Sequence, residues 1–488
     1  MPGKFFRILI LIITMNACAP NSQPTPSPYY TSYTIPAYTD TRVTSTNTSP
    51  ASTSTYAGLT NLLVVPTNEP PYPTNTPHVS DEIYPTPTFS FTFTPLPPLV
   101  SGEDVFLASI HMMDEASGWA IEAGGWDSPN GGHILHTSDG AATWDDVTPP
   151  QGSYTDDGFF ALDANTAWAS PFGINNRCIK DGWYTYCRQT QTYIWATHDG
   201  GRTWAPSQPI CSASGCDPSG DSNSEWILPR SIRFIDDANG WFLVSINYYM
   251  NQDRYKIYRT EDGGINWKFV TSSWKDDTWT GGATSVEPLD LNHVLFVTNE
   301  LNGAVDVHNE LRYFISENGA KNWEQVQAAL PSNPIADPIW EELRCGIETI
   351  ESFPPLVIDL DEVCSARKDG EEISHNIHFH SMDGGWTWLY WPQSGDVEFI
   401  DAATGWQLTA NSDSTFDLEM TRDGGLTWSK ISTVEWDGQL NFVDEMTGWA
   451  LARKGDTVSV VNTTDGGRTW NVKTQVRITL TPTTTPSP

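Results

Sequence analysis

The sequence predicts an all-β protein: a seven-bladed β-propeller of four-stranded antiparallel blades, preceded by a disordered Thr/Ser/Pro-rich tether. Three observations predict it. A string of the form Ser/Thr-x-Asp-x-Gly-x-x-Trp occurs seven times, its copies beginning roughly 40–65 residues apart. An alternating, strand-like run precedes each copy and a shorter one follows it. A second recurring unit lies upstream of each. A fixed period at this scale is what a fold built of repeated sheets requires, one four-stranded blade per repeat.

At the N-terminus, Lys4 and Arg7 give a positive segment and Ile8–Ile13 a short apolar run, too short to span a bilayer as a helix. Met-Asn-Ala-Cys follows. A small residue before Cys18 resembles the lipobox of bacterial lipoproteins, which implies a signal peptide over 1–17, lipid on Cys18 and a cell-envelope location. Residues 18–103 are dominated by Thr, Ser and Pro, as in "PTPSPYYTSYTIPAYTDTRVTSTNTSP". Such composition buries little and favours extended backbone, so this stretch reads as a tether. A Thr/Pro tail at 477–488 echoes it, and the globular composition lies between, over 104–476.

Within 104–476 the seven strings are "TSDGAATW", "THDGGRTW", "TEDGGINW", "SENGAKNW", "SMDGGWTW", "TRDGGLTW" and "TTDGGRTW". Each reads as the turn of a hairpin. Its acidic or amide side chain (Asp139, Asp199, Asp262, Asn318, Asp383, Asp423, Asp465) accepts backbone N–H groups, Gly supplies a positive φ, and Trp returns to the core. The upstream unit, clearest in "IRFIDDANGWFLVS", reads as strand, Asp-opened turn, strand. "EPLDLNHVLFV" and "LVIDLDEVCSA" are its weakest copies. These strings resemble the Asp-box, or BNR, repeat of sialidases, xyloglucan-type hydrolases, sortilin receptors and photosystem II assembly factors. The resemblance covers essentially all of 104–476. It implies a propeller whose Asp boxes are structural, and it implies no particular activity.

With strands A to D in each blade, the A–B and C–D turns are short and share one face. The long insertions fall on the other, at B–C (122–132, 171–192, 246–254, 299–310) and D–A (207–230, 272–282, 329–355). Variable loops on a rigid scaffold commonly carry function. Six tryptophans fall in these insertions: Trp126, Trp183, Trp226, Trp274, Trp279 and Trp340. Asp276 and Asp277 accompany Trp274 and Trp279, and Glu341 follows Trp340. Flat aromatics beside carboxylates suit a sugar, so these residues are the candidate ligand-binding set; catalytic residues are not assigned.

Seven cysteines include Cys18. The remaining six form sequence-local pairs, Cys178–Cys187, Cys211–Cys216 and Cys345–Cys364, expected as disulfides in an oxidising compartment. In "SHNIHFHS", His378 and His380 share a strand face, but His378 aligns with Ile134, Ile194, Ile257, Leu418 and Val460. It is therefore expected as a hydrogen-bonded core residue, and no metal or cofactor is expected.

The formal net charge of −34, with 60 acidic against 26 basic residues, opposes nucleic acid and anionic lipid as partners. The Phe/Tyr-Arg-Ile-Pro segment of sialidases is absent before residue 137, and Arg202, Arg422 and Arg468 sit inside turns. The sequence therefore favours a monomeric, lipid-anchored binding or scaffold protein for a glycan or an extracytoplasmic protein. The alternative is a propeller glycoside hydrolase using loop carboxylates.

Overall fold

The computed structural model describes residues 96, 99, 105–123, 132–150, 152–171, 178–181, 184–187, 191–211, 227–249, 252–272, 282–299, 310–329, 341–353, 356–368, 371–455 and 457–474. Seven four-stranded antiparallel sheets follow one another along the chain. Their first strands are Leu107–Met112, Phe159–Ala161, Ile227–Phe234, Gly282–Pro288, Glu341–Phe353, Val397–Phe399 and Asp437–Phe442. First strands of neighbouring blades contact one another at most junctions, so they form the inner wall of the ring.

The ring closes without exchange of strands. Blade 7 comes wholly from the C-terminal end and blade 1 wholly from the N-terminal end, and the two share one core containing Trp449, Leu451, Ile110 and Leu135. Directed bonds reinforce the seam. Gln439 Oε1 accepts from Ile110 N at 3.0 Å, Asn441 Oδ1 accepts from Met112 N, and Trp449 Nε1 donates to Gly140 O at 3.2 Å.

Each Asp box is a closed hydrogen-bond unit. In the fourth, Asn318 Oδ1 accepts from Asn322 N at 2.9 Å and Ser316 Oγ accepts from Ala320 N at 2.8 Å. The sixth does the same with Asp423 and Thr427 N at 2.8 Å, and Thr427 Oγ1 adds a bond to Asp423 Oδ2. Two successive residues adopt positive φ in every box. Five boxes place Gly at both, but Ala141 (66°) and Ala320 (70°) hold this conformation with a Cβ.

The box also binds its own blade. Its first Gly N–H donates to a carbonyl of the A–B connection in all seven blades, from Gly140 to Ala116 O through Gly466 to Met446 O. The A–B and C–D turns therefore share one face. In six blades an Asp opens the A–B turn, as Asp236 does by accepting from Ala238 and Asn239 N.

Three expectations need correction. Box tryptophans are not uniformly core: Trp144 is buried, but Trp204, Trp267, Trp323, Trp388, Trp428 and Trp470 are only half-buried, because the last strand is the outer edge of the blade. Secondly, Asp359 does not open a turn. It lies inside the second strand of blade 5, Val357–Lys368, paired with His380, because the Ile and Val residues flanking it continue the strand. Thirdly, the insertion assigned to 329–355 ends before Glu341, which opens a 13-residue strand.

The tryptophans after the A–B turns behave differently. Trp119, Trp168, Trp241, Trp406 and Trp449 are all at most 1% exposed. Trp168 stacks on Phe234 of the next blade at 3.6 Å, and Trp406 on Phe442 at 3.8 Å. Glycine completes the stack. A Cβ on Gly240 would lie 2.6 Å from the Phe234 ring, and one on Gly448 2.5 Å from Phe442, so the Phe needs a bare backbone across the pair.

Candidate functional site

Register identifies the residues at the axis. Opposite the buried Trp position in each second strand, the inner strands place His111, Phe160, Arg233, Glu287, Glu351, Glu398 and Asn441, one per blade. Opposed residues of an antiparallel pair share a sheet face, so each of the seven leans toward the next blade at the inner edge. A cavity of about 290 Å³ opens here, lined by the first five of these, by Asp156, and by Phe159, Phe234 and Phe353 at the strand ends. It extends toward the A–B turns, the Asp-box face.

Neighbouring blades fix these groups to one another. Arg233 Nε lies 3.0 Å from Glu287 Oε1, and Ser352 Oγ donates to Glu287 Oε2 at 3.0 Å. Glu287 is fully buried, and its carboxylate is occupied by these partners and by Ser285. His111 Nε2 lies 2.9 Å from Asp156 Oδ1, which also accepts from Ser109 Oγ at 2.7 Å.

The remaining carboxyls are in opposite electrostatic situations. Burial alone would raise Asp156, but the charge and hydrogen bond of His111 outweigh it and hold Asp156 down to about 2. Burial would lower His111, and Asp156 reverses that as well. Glu351 is pushed up, first by loss of bulk solvent and then by the Asp359 and Asp156 charges, against the pull of His111 and Arg233. Protein surrounds Glu351 on every side while channel water still reaches it, so this push is partly screened. Burial also drives Asp396 and Glu398 well above their ordinary values, followed by repulsion from Asp361 at Asp396 and from Glu351 at Glu398.

The described residues that line this cavity were not among those proposed from sequence. Trp126, Trp183, Trp226, Trp274, Asp276, Asp277, Trp279 and Trp340 lie outside the described residues, as do Cys18, Cys216, the tail and the tether apart from Leu96 and Leu99. Glu341 opens the first strand of blade 5. Cys178 stands opposite Cys187 and Cys345 opposite Cys364 across paired strands, and Cys211 is disulfide-bonded. The axial residues had one sequence signal: a polar residue three places before the turn Asp in "HMMD", "RFID", "EPLD", "EFID" and "NFVD".

No protein-family model matches the chain, and no curated protein matches it. Solved structures do. The chain is similar to the GH74 xyloglucanase from Xanthomonas campestris at 11% identity and TM-score 0.40, covering 77% of this chain and 55% of that one. It therefore spans little more than half of that enzyme. A polysaccharide lyase is similar at 8% identity and TM-score 0.46, with 78% and 94% covered. The α-L-arabinanase from Penicillium chrysogenum, complexed with arabinobiose, gives 10% and 0.34, with 76% and 96% covered. At such identities the likeness concerns the propeller fold alone.

Proposed function

We propose that this protein is an envelope protein anchored by lipid at Cys18, whose propeller binds a glycan or an extracytoplasmic protein at the axial cavity, with a glycan the better fit. The observation that carries this is the cavity wall. Phe160 and Phe353 offer flat apolar surface beside Asp156 and His111, hydrogen-bonding groups fixed against one another, and beside the carboxyl of Glu351. Sugars present both kinds of surface, and the volume is on the scale of a small-molecule site. Trp274 and Trp279, with Asp276 and Asp277, remain a second proposed contact.

One observation favours a hydrolase as second reading. Asp156 is held ionised while Glu351 is pushed toward its protonated form, and carboxyls separated in this way can divide the base and acid roles of glycoside cleavage. The test is a glycan-binding array run beside a hydrolysis screen, with wild type and Glu351→Gln. Binding without turnover supports the binder. Turnover lost in Glu351→Gln supports the hydrolase. No binding to any glycan, together with no turnover, overturns both glycan readings.

A further inference from the structure

Blade 5 departs from the other blades at one spot. The register position that holds Trp119, Trp168, Trp241, Trp406 and Trp449 elsewhere holds Asp359 here. Its cross-strand partner is His380. Two places further along, a pair that is Leu243–Ile257 in blade 3 and Leu408–Leu418 in blade 6 becomes Asp361–His378. The Asp359, Asp361 and His378 positions are apolar or aromatic in most other blades, whereas the His380 position is polar in three of them, as His136, Arg259 and Asn462.

The four are bonded in a definite order. Asp359 Oδ1 lies 2.7 Å from His380 Nδ1 and 3.2 Å from His378 Nε2. The outer nitrogens have separate partners. His378 Nδ1 lies 2.7 Å from Asp361 Oδ1, and His380 Nε2 lies 3.3 Å from Ala402 O of blade 6. Both imidazoles are 1% exposed and Asp359 is 8% exposed. The second oxygen of Asp359 is buried with no hydrogen-bond partner. One atom from each of Asp359, His378 and His380 falls within 4.8 Å of the others.

The geometry points to a divalent transition-metal site, of the zinc class, held by Asp359, His378 Nε2 and His380 Nδ1 at the junction of blades 5 and 6. Three facts carry it. Each imidazole turns one nitrogen inward and gives the other to a carboxylate or a backbone carbonyl, the outer arrangement of metal-bound histidine. The orphaned Asp359 oxygen faces no donor, and an ion would supply its partner. Both nitrogens of each ring face only acceptors, and the two inward nitrogens converge on one Asp359 oxygen; one divalent ion would satisfy all three and balance the charge of Asp359 and Asp361. Two nitrogens and a carboxylate suit zinc or a neighbouring transition metal rather than calcium or magnesium. On the inner strand, Glu351 is the cross-strand neighbour of Asp359. The role is structural: with His380 stacked on Phe399 at 4.2 Å, the ion would pin blade 5 to blade 6 at the position where five other blades use tryptophan.

The test uses the full chain, dialysed with zinc and then against metal-free buffer, and its metal content measured by mass spectrometry. The control is His378→Ile, which installs the residue that three other blades carry at that position and so preserves the core. Wild type is expected to retain about one zinc per chain more than His378→Ile. Its melting temperature should fall by about 3–6 °C on chelation and return with zinc, whereas the variant's should not respond. Asp359→Asn, closer in shape, should also lose the ion. Equal zinc in wild type and folded His378→Ile, or a wild-type melting temperature indifferent to chelation, would overturn the assignment and leave a proton-filled network.

Discussion

The junction between blades 6 and 7 and the junction between blades 5 and 6 solve one packing problem with different chemistry. At the first, Trp406 stacks on Phe442, whose other face covers Gly448. At the second, Phe399 covers Gly405 in the same way, but the ring against its outer face is His380, backed by Asp359 and His378. The Phe–Gly half of the stack is unchanged and only the donor blade differs. The repeat therefore fixes the place of contact and leaves its chemistry open, so a polar ligand set can occupy a core position without disturbing the neighbouring blade.

The comparison can be broken most severely at the tryptophan junction. Trp406→Ala removes a fully buried indole and should destabilise by about 3–5 kcal/mol, read as a lowered denaturation midpoint. Trp428→Ala, on the half-buried outer strand of the same blade, should lose only about 1–2 kcal/mol. Equal losses would mean that outer and inner tryptophans carry the blade alike.

A smaller effect concerns the axis. His111 is raised above its ordinary value by Asp156, so its contribution is full below about pH 6.5 and is lost as pH rises through the raised value. Asp156 is lowered to about 2, so its contribution is present above the usual carboxylate value and is lost as pH falls toward 2. The pair should help most between about pH 4 and 6.5. The melting-temperature gap between wild type and His111→Gln should therefore shrink from about pH 5.5 to about pH 8.5. The smallest effect is a gain. Ala320 carries a Cβ at a φ of 70° where five boxes have Gly. Ala320→Gly should stabilise by about 0.5–1 kcal/mol, seen as a raised midpoint.

Most of the fold was legible because each blade repeats its own turn chemistry. Ser/Thr, Asp and Gly occupy fixed places for hydrogen-bonding reasons that do not depend on the rest of the chain, as Thr421, Asp423 and Gly425 show. Blade 5 was read out of register because "VIDLDEV" has the spacing of "FIDDANGW" without its turn. Only strand pairing reveals Asp359 in a tryptophan's position opposite His380. The axial site was harder still. His111, Arg233, Glu351 and Glu398 come from four blades and meet only when the ring closes, so no local spacing announces them. The half-burial of Trp428 had no signal either, since the same Trp-bearing string closes the buried Trp144.

The claim that the blades are scaffold and the axis is the site is tested most directly by one paired titration. A glycan identified by array screening is titrated into wild type, Glu351→Gln and Trp428→Ala, with melting curves on the same samples. The account expects Glu351→Gln to weaken binding at least about tenfold, or roughly 1.4 kcal/mol, with little change in melting. Trp428→Ala should melt earlier and bind as wild type does. Undiminished binding by Glu351→Gln, with loss of binding in folded Trp428→Ala, would contradict the account and place the ligand on the outer blades.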